Sequence, residues 1–453
     1  MKLVILGGGG FRVPLVYSAV LAARHRVPIT EVVLFDADAS RLAVMHRVVT
    51  GQAEAADGGA HPGGHTVRVR ATTDLDDAVA GADVVFAAIR VGGTRGRILD
   101  ERVALERGLL GQETIGPGGL AYALRTLPMM EHVAARIAAL APQAWTINFT
   151  NPAGLITEAM RTHLGDRVVG ICDTPIGLVR RVGRVLGVDP LADSAQVDYL
   201  GLNHLGWLHG LHVDGVDRLP ALLADDGLLG QIEEARTLGL DWVRARGALP
   251  NEYLYYYDYP REATARIAGA QHTRGEFLDD QQQRFYAEAA EAEDPRAVWS
   301  ATLAEREATY MAEAREGERE EDDATGGYHE VAVDLMAALL AGERHRMILD
   351  VANAGIIPTL PDDAVIEVPC TVDGTGIHPE VPATPLALDE LALVTAVKAA
   401  DRGIIAAARS GSRQQAWRAF AVHPLVDSAA VARDLVDAYI DAHPTIAAVL
   451  SEA

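Results

Sequence analysis

Cysteine is nearly absent: Cys172 and Cys370 are the only two in 453 residues. Two cysteines cannot build a disulfide framework, and their scarcity suits a reducing compartment such as the cytoplasm. Positive charge is also scarce. Forty Lys and Arg face 63 Asp and Glu, and the net charge of −23 argues against nucleic acid or an anionic membrane surface as partner, since both select basic patches. A small ligand is expected instead, and an anionic one would need a few placed arginines. No apolar run reaches the roughly 20 residues of a membrane span. The start, Met1-Lys2-Leu3-Val4-Ile5-Leu6, passes into glycine too soon for a signal peptide. What remains is a globular composition, 49% hydrophobic and 23% charged, with no low-complexity tract and no internal repeat. The length exceeds one ordinary core, so two packed domains are expected.

The first half alternates strand and helix patterns. Lys2 to Leu6 reads as a buried strand, Gly7-Gly8-Gly9-Gly10 as a tight turn, and Val13 to Arg24 as a helix. Strand, glycine turn and helix let backbone N–H groups approach a pyrophosphate. The six-residue glycine fingerprint is incomplete, because Arg12 stands at its third glycine. A second strand, Glu31 to Phe35, ends at Asp36, where an acid binds ribose hydroxyls and repels a 2′-phosphate, favouring NAD over NADP. Further strands are expected at Thr66 to Ala71, Asp83 to Ile89 and Trp145 to Phe149, and helices at Asp74 to Ala80 and Gly119 to Leu140. The strand ending at Ile89 leads into Arg90-Val91-Gly92-Gly93. Gly7, Gly9, Gly10, Asp36 and Arg90 are therefore the expected cofactor-binding residues. The glycine-bearing stretches Gly96 to Glu101 and Gly108 to Gly116 read as a lid or pocket wall, in which Arg97 could fork onto a phosphate or carboxylate.

Two stretches carry the strongest chemical signal. Gly170-Ile171-Cys172-Asp173-Thr174-Pro175 and Gly201-Leu202-Asn203-His204-Leu205-Gly206 each follow a strand-like run, Arg167 to Ile171 and Val197 to Leu202. Strand ends are where α/β folds place active sites. Cys172 and His204 could there hold one divalent ion and leave coordination positions open, although each also fits a core position. In the second half, Glu233 to Ala248 reads as helical, and five of the 12 tyrosines crowd between Tyr253 and Tyr259. Some must present hydroxyls to a polar cavity, because a buried phenol needs a partner. Gln281 to Asp322 reads as a solvated acidic helical region, Val331 to Leu340 as a helix, and Met347 to Val351 and Ala364 to Val368 as strands. Leu388 to Ala442 reads as helical support for the pocket and a subunit interface, and Cys370 as structural.

The order of parts, with a strand closing on Thr150-Asn151-Pro152, resembles the lactate and malate dehydrogenases. Taken with Gly111-Gln112-Glu113-Thr114, Asn148-Phe149-Thr150-Asn151-Pro152, Cys172-Asp173-Thr174-Pro175, Gly201-Leu202-Asn203-His204 and Tyr253-Leu254-Tyr255-Tyr256, the chain resembles glycoside hydrolase family 4. That is a group of NAD- and metal-dependent glycosidases which stands outside the two-carboxylate rule. The resemblance runs from residue 1 to about residue 430. It implies an α/β fold: an N-terminal Rossmann-type parallel sheet like that of the lactate and malate dehydrogenases (1–195), then a C-terminal α+β catalytic and oligomerisation domain (196–453). It implies NAD, a divalent metal (usually Mn²⁺) on Cys172 and His204, and a homodimer or homotetramer. It also implies Tyr253 as the base at C2 of the sugar, Glu113 as the group that raises its basicity, and Asp173 as the leaving-group acid found in the α-specific members. Arg97, Asn151 and Arg274 are implied to bind a small phosphorylated sugar.

Two departures stand out. Phe11 follows Gly10 where the family has serine, so the backbone cradle alone must hold the pyrophosphate. Cys-Asp-Thr-Pro matches neither the Cys-Asn-Val-Pro of many 6-phospho-β-glucosidases nor the Cys-Asp-Met-Pro of the 6-phospho-α-glucosidases. The Asn-x-Tyr-Leu-x-Tyr-Tyr segment leans to the β group, so 6-phospho-β-glucosides are the expected substrates. The alternatives are a 6-phospho-α-glucosidase, an α-glycosidase for unphosphorylated sugars, a 2-hydroxyacid dehydrogenase of the lactate/malate type, and a sugar-phosphate sensor.

Overall fold

The computed structural model describes residues 1–57, 67–308 and 327–451. Six strands form its parallel part: β1 (Lys2–Leu6), β2 (Glu31–Phe35), β3 (Arg68–Thr72), β4 (Val84–Ala87), β5 (Trp145–Asn148) and β6 (Val168–Gly170). They lie side by side as β3-β2-β1-β4-β5-β6, all parallel. This is the doubly wound dinucleotide-binding order. The alternation of side chains along a strand supplies both faces. Leu3 and Ile5 of β1 join one core with Val13, Val16 and Tyr17 of α1 (Val13–Ala22). Val4 and Leu6 join the opposite core, with Leu120, Leu124 and Leu127 of a long helix, Gly116–Leu140.

The helices between these strands run α2 (Ala39–Asp57), α3 (Leu75–Val79), α4 (Gly93–Leu105), α5 (Gly116–Leu140), α6 (Ala153–Leu164) and α7 (Thr174–Leu186). Helix α3 shows how local chemistry sets an end: the Asp74 side chain accepts from the backbone N–H groups of Asp76 and Asp77. The stretch Gly96 to Glu101, expected as a lid or pocket wall, lies within helix α4. Gly96 is there for spacing, since a Cβ on it would come within 3.0 Å of Arg125 Nε on α5. Its lack of a side chain serves helix packing, not flexibility. The stretch from 108 to 115 does remain a loop and carries Glu113. Of the strand expected from Thr66, residue 66 lies outside the described residues.

The second half adds β7 (Ala195–Leu202), β8 (Leu205–Val213), β9 (Val216–Asp217), β10 (Leu249–Pro250), β11 (His345–Ala352), β12 (Val365–Asp373) and β13 (Gly376–Pro379). These are antiparallel and extend the same sheet in the order β10-β8-β7-β12-β11-β6. The joins are narrow. Strand β11 meets β6 at one pair, Asp350 with Gly170, and β12 meets β7 at one pair, Glu367 with Gly201. The helical stretch expected over Glu233 to Ala248 is two helices, Glu233–Leu238 and Leu240–Arg246, parted by Gly239 at φ +90.

The acidic region presents a solvated face, with Glu288 and Glu291 exposed, and a second face that is buried. Helices Arg274–Glu291 and Pro295–Ala308 turn Phe285 and Trp299 inward onto Phe11. The remainder of that region, 309–322, lies outside the described residues. Three helices, Leu388–Ser410, Arg413–Val422 and Ala429–Ala442, close the far side of the parallel sheet, sharing a core with α5 and α6. Among the described residues no helix is long and apolar enough to cross a membrane.

Candidate active site

One cleft of about 780 Å³ runs along the carboxyl ends of the central strands. Every residue singled out from the sequence as cofactor-binding, substrate-binding, metal-holding or catalytic lines it: Gly7, Gly9, Gly10, Asp36, Arg90, Arg97, Glu113, Asn151, Cys172, Asp173, His204, Tyr253 and Arg274. At one end the glycine turn leaves β1. Gly7 takes φ +85, and a side chain there would run into Ala88 O. A Cβ on Gly9 would sit 3.0 Å from Asp36 Oδ2, and the Gly9 N–H donates to that oxygen at 2.9 Å. Asp36 is thus oriented at the end of β2, its other oxygen accepting from Asp38 N. A backbone cradle that side chains would fill, with a fixed acid beside it, fits a dinucleotide with an unphosphorylated ribose.

Phe11, the departure from the family's serine, is an anchor. Its ring meets Phe285 edge-on at 5.0 Å, and its carbonyl accepts from Trp299 Nε1 at 2.8 Å. The second-half helices are thereby pinned to the glycine turn. Tyr328, which the sequence reading passed over, stacks on Phe149 at 4.1 Å between ring centroids and lines the middle of the cleft.

At the other end, Cys172 and Asp173 occupy the turn between β6 and α7, and His204 the two-residue turn between β7 and β8. His204 holds φ +62, a left-handed conformation that costs a non-glycine residue on the order of 1–2 kcal/mol. Its ring is stacked on that of Tyr253, 3.8 Å between centroids and 14° from parallel. Burial pushes the imidazole down to about 3, with Glu113 pulling the other way, so a neutral nitrogen lone pair faces the cleft at any working pH. The Cys172 sulfur lies 3.3 Å from Thr174 Oγ1. Among the described residues no hydrogen-bond donor reaches the buried Asn151 Oδ1, which suits a substrate hydroxyl. A thiol and a neutral imidazole suit a borderline divalent cation such as Mn²⁺. Among the described residues no group of three His, Cys, Asp or Glu side chains is placed to hold a metal ion.

Between the two ends the acidic protein concentrates positive charge. Burial, then Arg12, Arg274, Arg90 and Arg97, pushes the Arg306 guanidinium well below its ordinary range. Five guanidinium groups therefore converge on one recess. Glu113 is their counter-charge. Burial pushes its carboxyl up, but Arg90 and Arg97 more than offset that, and it falls to about 2. Arg90 donates to Glu113, and Arg97 is held by Glu113 at 2.6 Å and by Glu101 at 2.6 Å. Arg12 and Arg306 were missed from the sequence because they sit beside the glycine turn and within an apparently solvated helix.

Of the clustered tyrosines, Tyr253 and Tyr256 line the cleft, while Tyr259 donates to Leu238 O at 2.6 Å. Glu252 lines it too. Burial, reinforced by Glu234 and Glu233 and opposed by Arg181, pushes its carboxyl up from 4.5 to about 8. The folded value lies above the unfolded one, so its contribution to stability is complete below about pH 4.5 and is lost as pH rises through about 8. Glu252→Gln should remove this fall, leaving the variant on the order of 2–4 °C more stable than the parent at pH 8.5 and no more stable at pH 5, as read by thermal melts.

With this geometry in place, comparison with known proteins is decisive. A model of the family 4 glycosyl hydrolases matches residues 2–188, and a model of the family 4 glycosyl hydrolase C-terminal domain matches residues 199–426. The chain is a family 4 glycosyl hydrolase. A probable 6-phospho-β-glucosidase of Bacillus subtilis is 30% identical to this hydrolase across 98% of the chain and 96% of the relative. A maltose-6′-phosphate glucosidase of the same organism is also 30% identical, over 98% and 97%. Among solved structures, the 6-phospho-β-glucosidase of Thermotoga maritima with NAD and glucose 6-phosphate superposes with a TM-score of 0.81, at 26% identity and 98% coverage of both chains. A 6-phospho-α-glucosidase from gut microorganisms, in complex with NAD and Mn²⁺, gives 0.80 at 25% identity, again covering 98% of both.

Proposed function

We propose that this family 4 hydrolase cleaves 6-phospho-β-glucosides, using NAD⁺ and a divalent cation, with Mn²⁺ the favoured ion. The observation that carries the reading is the convergence of Arg12, Arg90, Arg97, Arg274 and Arg306 beside Cys172, His204 and Tyr253 in a chain of net charge −23. Glu113 and Glu101 pair with Arg90 and Arg97, and a sugar phosphate beside a dinucleotide matches the forked donors of the cluster. Relatives solved with glucose 6-phosphate, NAD and Mn²⁺ support the same assignment.

Gly7, Gly9, Gly10 and Asp36 would hold the dinucleotide, which would supply reversible hydride acceptance at C3 of the sugar, and Cys172 and His204 would hold the cation, which would supply Lewis-acid polarisation of the C2 and C3 oxygens. The rest is done by the chain. Tyr253, fixed against His204 by stacking and by its backbone N–H to Asn251 Oδ1 at 3.0 Å, takes the proton from C2. Asp173, at the start of α7, protonates the leaving oxygen as the C1–O bond breaks, and water then adds at C1 while Tyr253 returns a proton to C2. Glu113 keeps a fixed negative charge within range of His204, which favours proton uptake by a neighbouring phenolate, and it holds Arg90 and Arg97 in place. Arg97, Asn151 and Arg274 grip the sugar phosphate, with Arg274 at the N-terminus of its helix, where anions are favoured. Residues 1–195 serve as the dinucleotide-binding part and 196–453 as the catalytic and oligomer-forming part of a cytoplasmic homodimer or homotetramer.

Asp173 favours a second reading, since an aspartate here matches the leaving-group acid of the α-specific members. A panel of 4-nitrophenyl α- and β-glucosides, with and without 6-phosphate, assayed with NAD⁺, Mn²⁺ and a thiol reductant, separates the two. The β-6-phosphate should turn over at least tenfold faster than the other three. Fastest release from the α-6-phosphate would transfer the assignment to the second reading, and release from unphosphorylated glucosides alone would end both.

A further inference from the structure

Behind the cleft, four residues lie in a row across the sheet. Gly170, Asp350, Glu367 and Gly201 are neighbours on β6, β11, β12 and β7. Gly170 stands two residues before Cys172, and Gly201 three before His204. Glu367 is 1% exposed, and its two oxygens are engaged by different arms. Oε1 accepts from Asn203 Nδ2 at 3.4 Å, next to His204. Oε2 accepts from Tyr199 OH at 2.8 Å. That hydroxyl also receives Asn251 Nδ2 at 3.5 Å. Asn251 Nδ2 reaches Thr174 Oγ1 at 2.9 Å, and that hydroxyl is the 3.3 Å neighbour of the Cys172 sulfur. Asn251 Oδ1 holds the Tyr253 N–H. Space is kept open for this network: a Cβ on Gly206 would strike the Tyr199 hydroxyl, and one on Gly170 would lie 2.8 Å from Asp350 Oδ2.

We infer that Glu367 is the positioning residue of the metal-binding end. From it, Cys172, His204 and Tyr253 are each reached through hydrogen bonds among the described residues, with a single peptide step from Asn203 to His204. The inference rests on the proposed function, since it takes Cys172 and His204 as the metal ligands. Groups behind metal ligands fix their orientation, and losing one commonly weakens the metal by about 10–100-fold. The dinucleotide end hangs on β1 and β2, and among the described residues none of these hydrogen bonds reaches Gly7, Gly9 or Asp36, so the two kinds of binding should separate.

The test uses full-length protein with NAD⁺ present. Mn²⁺ affinity is read from the electron paramagnetic resonance signal of unbound Mn²⁺, and NAD⁺ affinity by calorimetry, in the parent, Glu367→Gln and Tyr199→Phe. Glu367→Gln should weaken Mn²⁺ at least tenfold and leave NAD⁺ affinity within twofold. Tyr199→Phe, which removes a single hydroxyl, should weaken Mn²⁺ by a smaller factor and serves as the measurement if Glu367→Gln does not fold. Unchanged Mn²⁺ affinity in whichever variant folds would overturn the role of Glu367. So would parallel loss of Mn²⁺ and NAD⁺, which marks a merely structural residue. A parent protein that binds no Mn²⁺ would instead remove the metal assignment beneath it.

Discussion

Tyr253→Phe should lower kcat on a 6-phospho-β-glucoside by about 10²–10⁴-fold, the range expected when a proton-transferring group is removed, while KM changes less than threefold. The substitution deletes one oxygen and keeps the ring that stacks on His204 at 3.8 Å, so the wall of the cleft is preserved. Its backbone N–H still meets Asn251 Oδ1. A loss confined to kcat is the mark of an interaction made only in the transition state. Steady-state kinetics with saturating NAD⁺ and Mn²⁺ provide the check. A rise in KM with kcat unchanged would make Tyr253 a binding residue only.

The second large effect is expected at the metal-binding end. Cys172→Ser replaces a soft thiolate donor by a weakly acidic hydroxyl at the turn between β6 and α7, and only two protein ligands, Cys172 and His204, are assigned to the ion. With half the protein donor set altered, turnover at micromolar Mn²⁺ should fall at least about 10²-fold, consistent with the loss of a Lewis acid. Millimolar Mn²⁺ should restore part of it. Chelation should silence the parent enzyme fully and reversibly. Cys172→Ser with undiminished activity in the presence of a chelator would remove the cation from the reaction. The second cysteine, Cys370, is buried in β12 between the hydrophobic neighbours of that strand, with Sγ against Val368 O at 3.4 Å, and its replacement by Ala should leave metal dependence untouched.

The parallel half of the fold was legible because its signals are local. Leu3 to Leu6 and Val32 to Leu34 are continuous apolar runs, as strands buried on both faces must be, and glycine and an acid follow them at fixed distances. The candidate site was legible for a related reason: Cys172, Asp173, Asn203 and His204 sit at the ends of such runs. What escaped notice depends on distant pairings. Gly96 was read as part of a lid or pocket wall, but what its missing side chain serves is Arg125, 29 residues on, pressing from α5. The acidic composition around Glu288 and Glu305 suggested a solvated face, and it gave no sign of the opposite face, where Phe285 and Trp299 reach Phe11 some 280 residues earlier. Arg306 and Glu367 carry no motif at all. Their importance comes from the groups that the fold places opposite them, and one sequence does not state those pairings.

The account stands on removal of a proton from C2 of the sugar during hydrolysis. Run to completion in D₂O on a 6-phospho-β-glucoside, the reaction should yield glucose 6-phosphate carrying deuterium at C2, visible as a one-mass-unit gain and loss of the C2 proton signal in the NMR spectrum. Product with the C2 proton intact and full cleavage would contradict it.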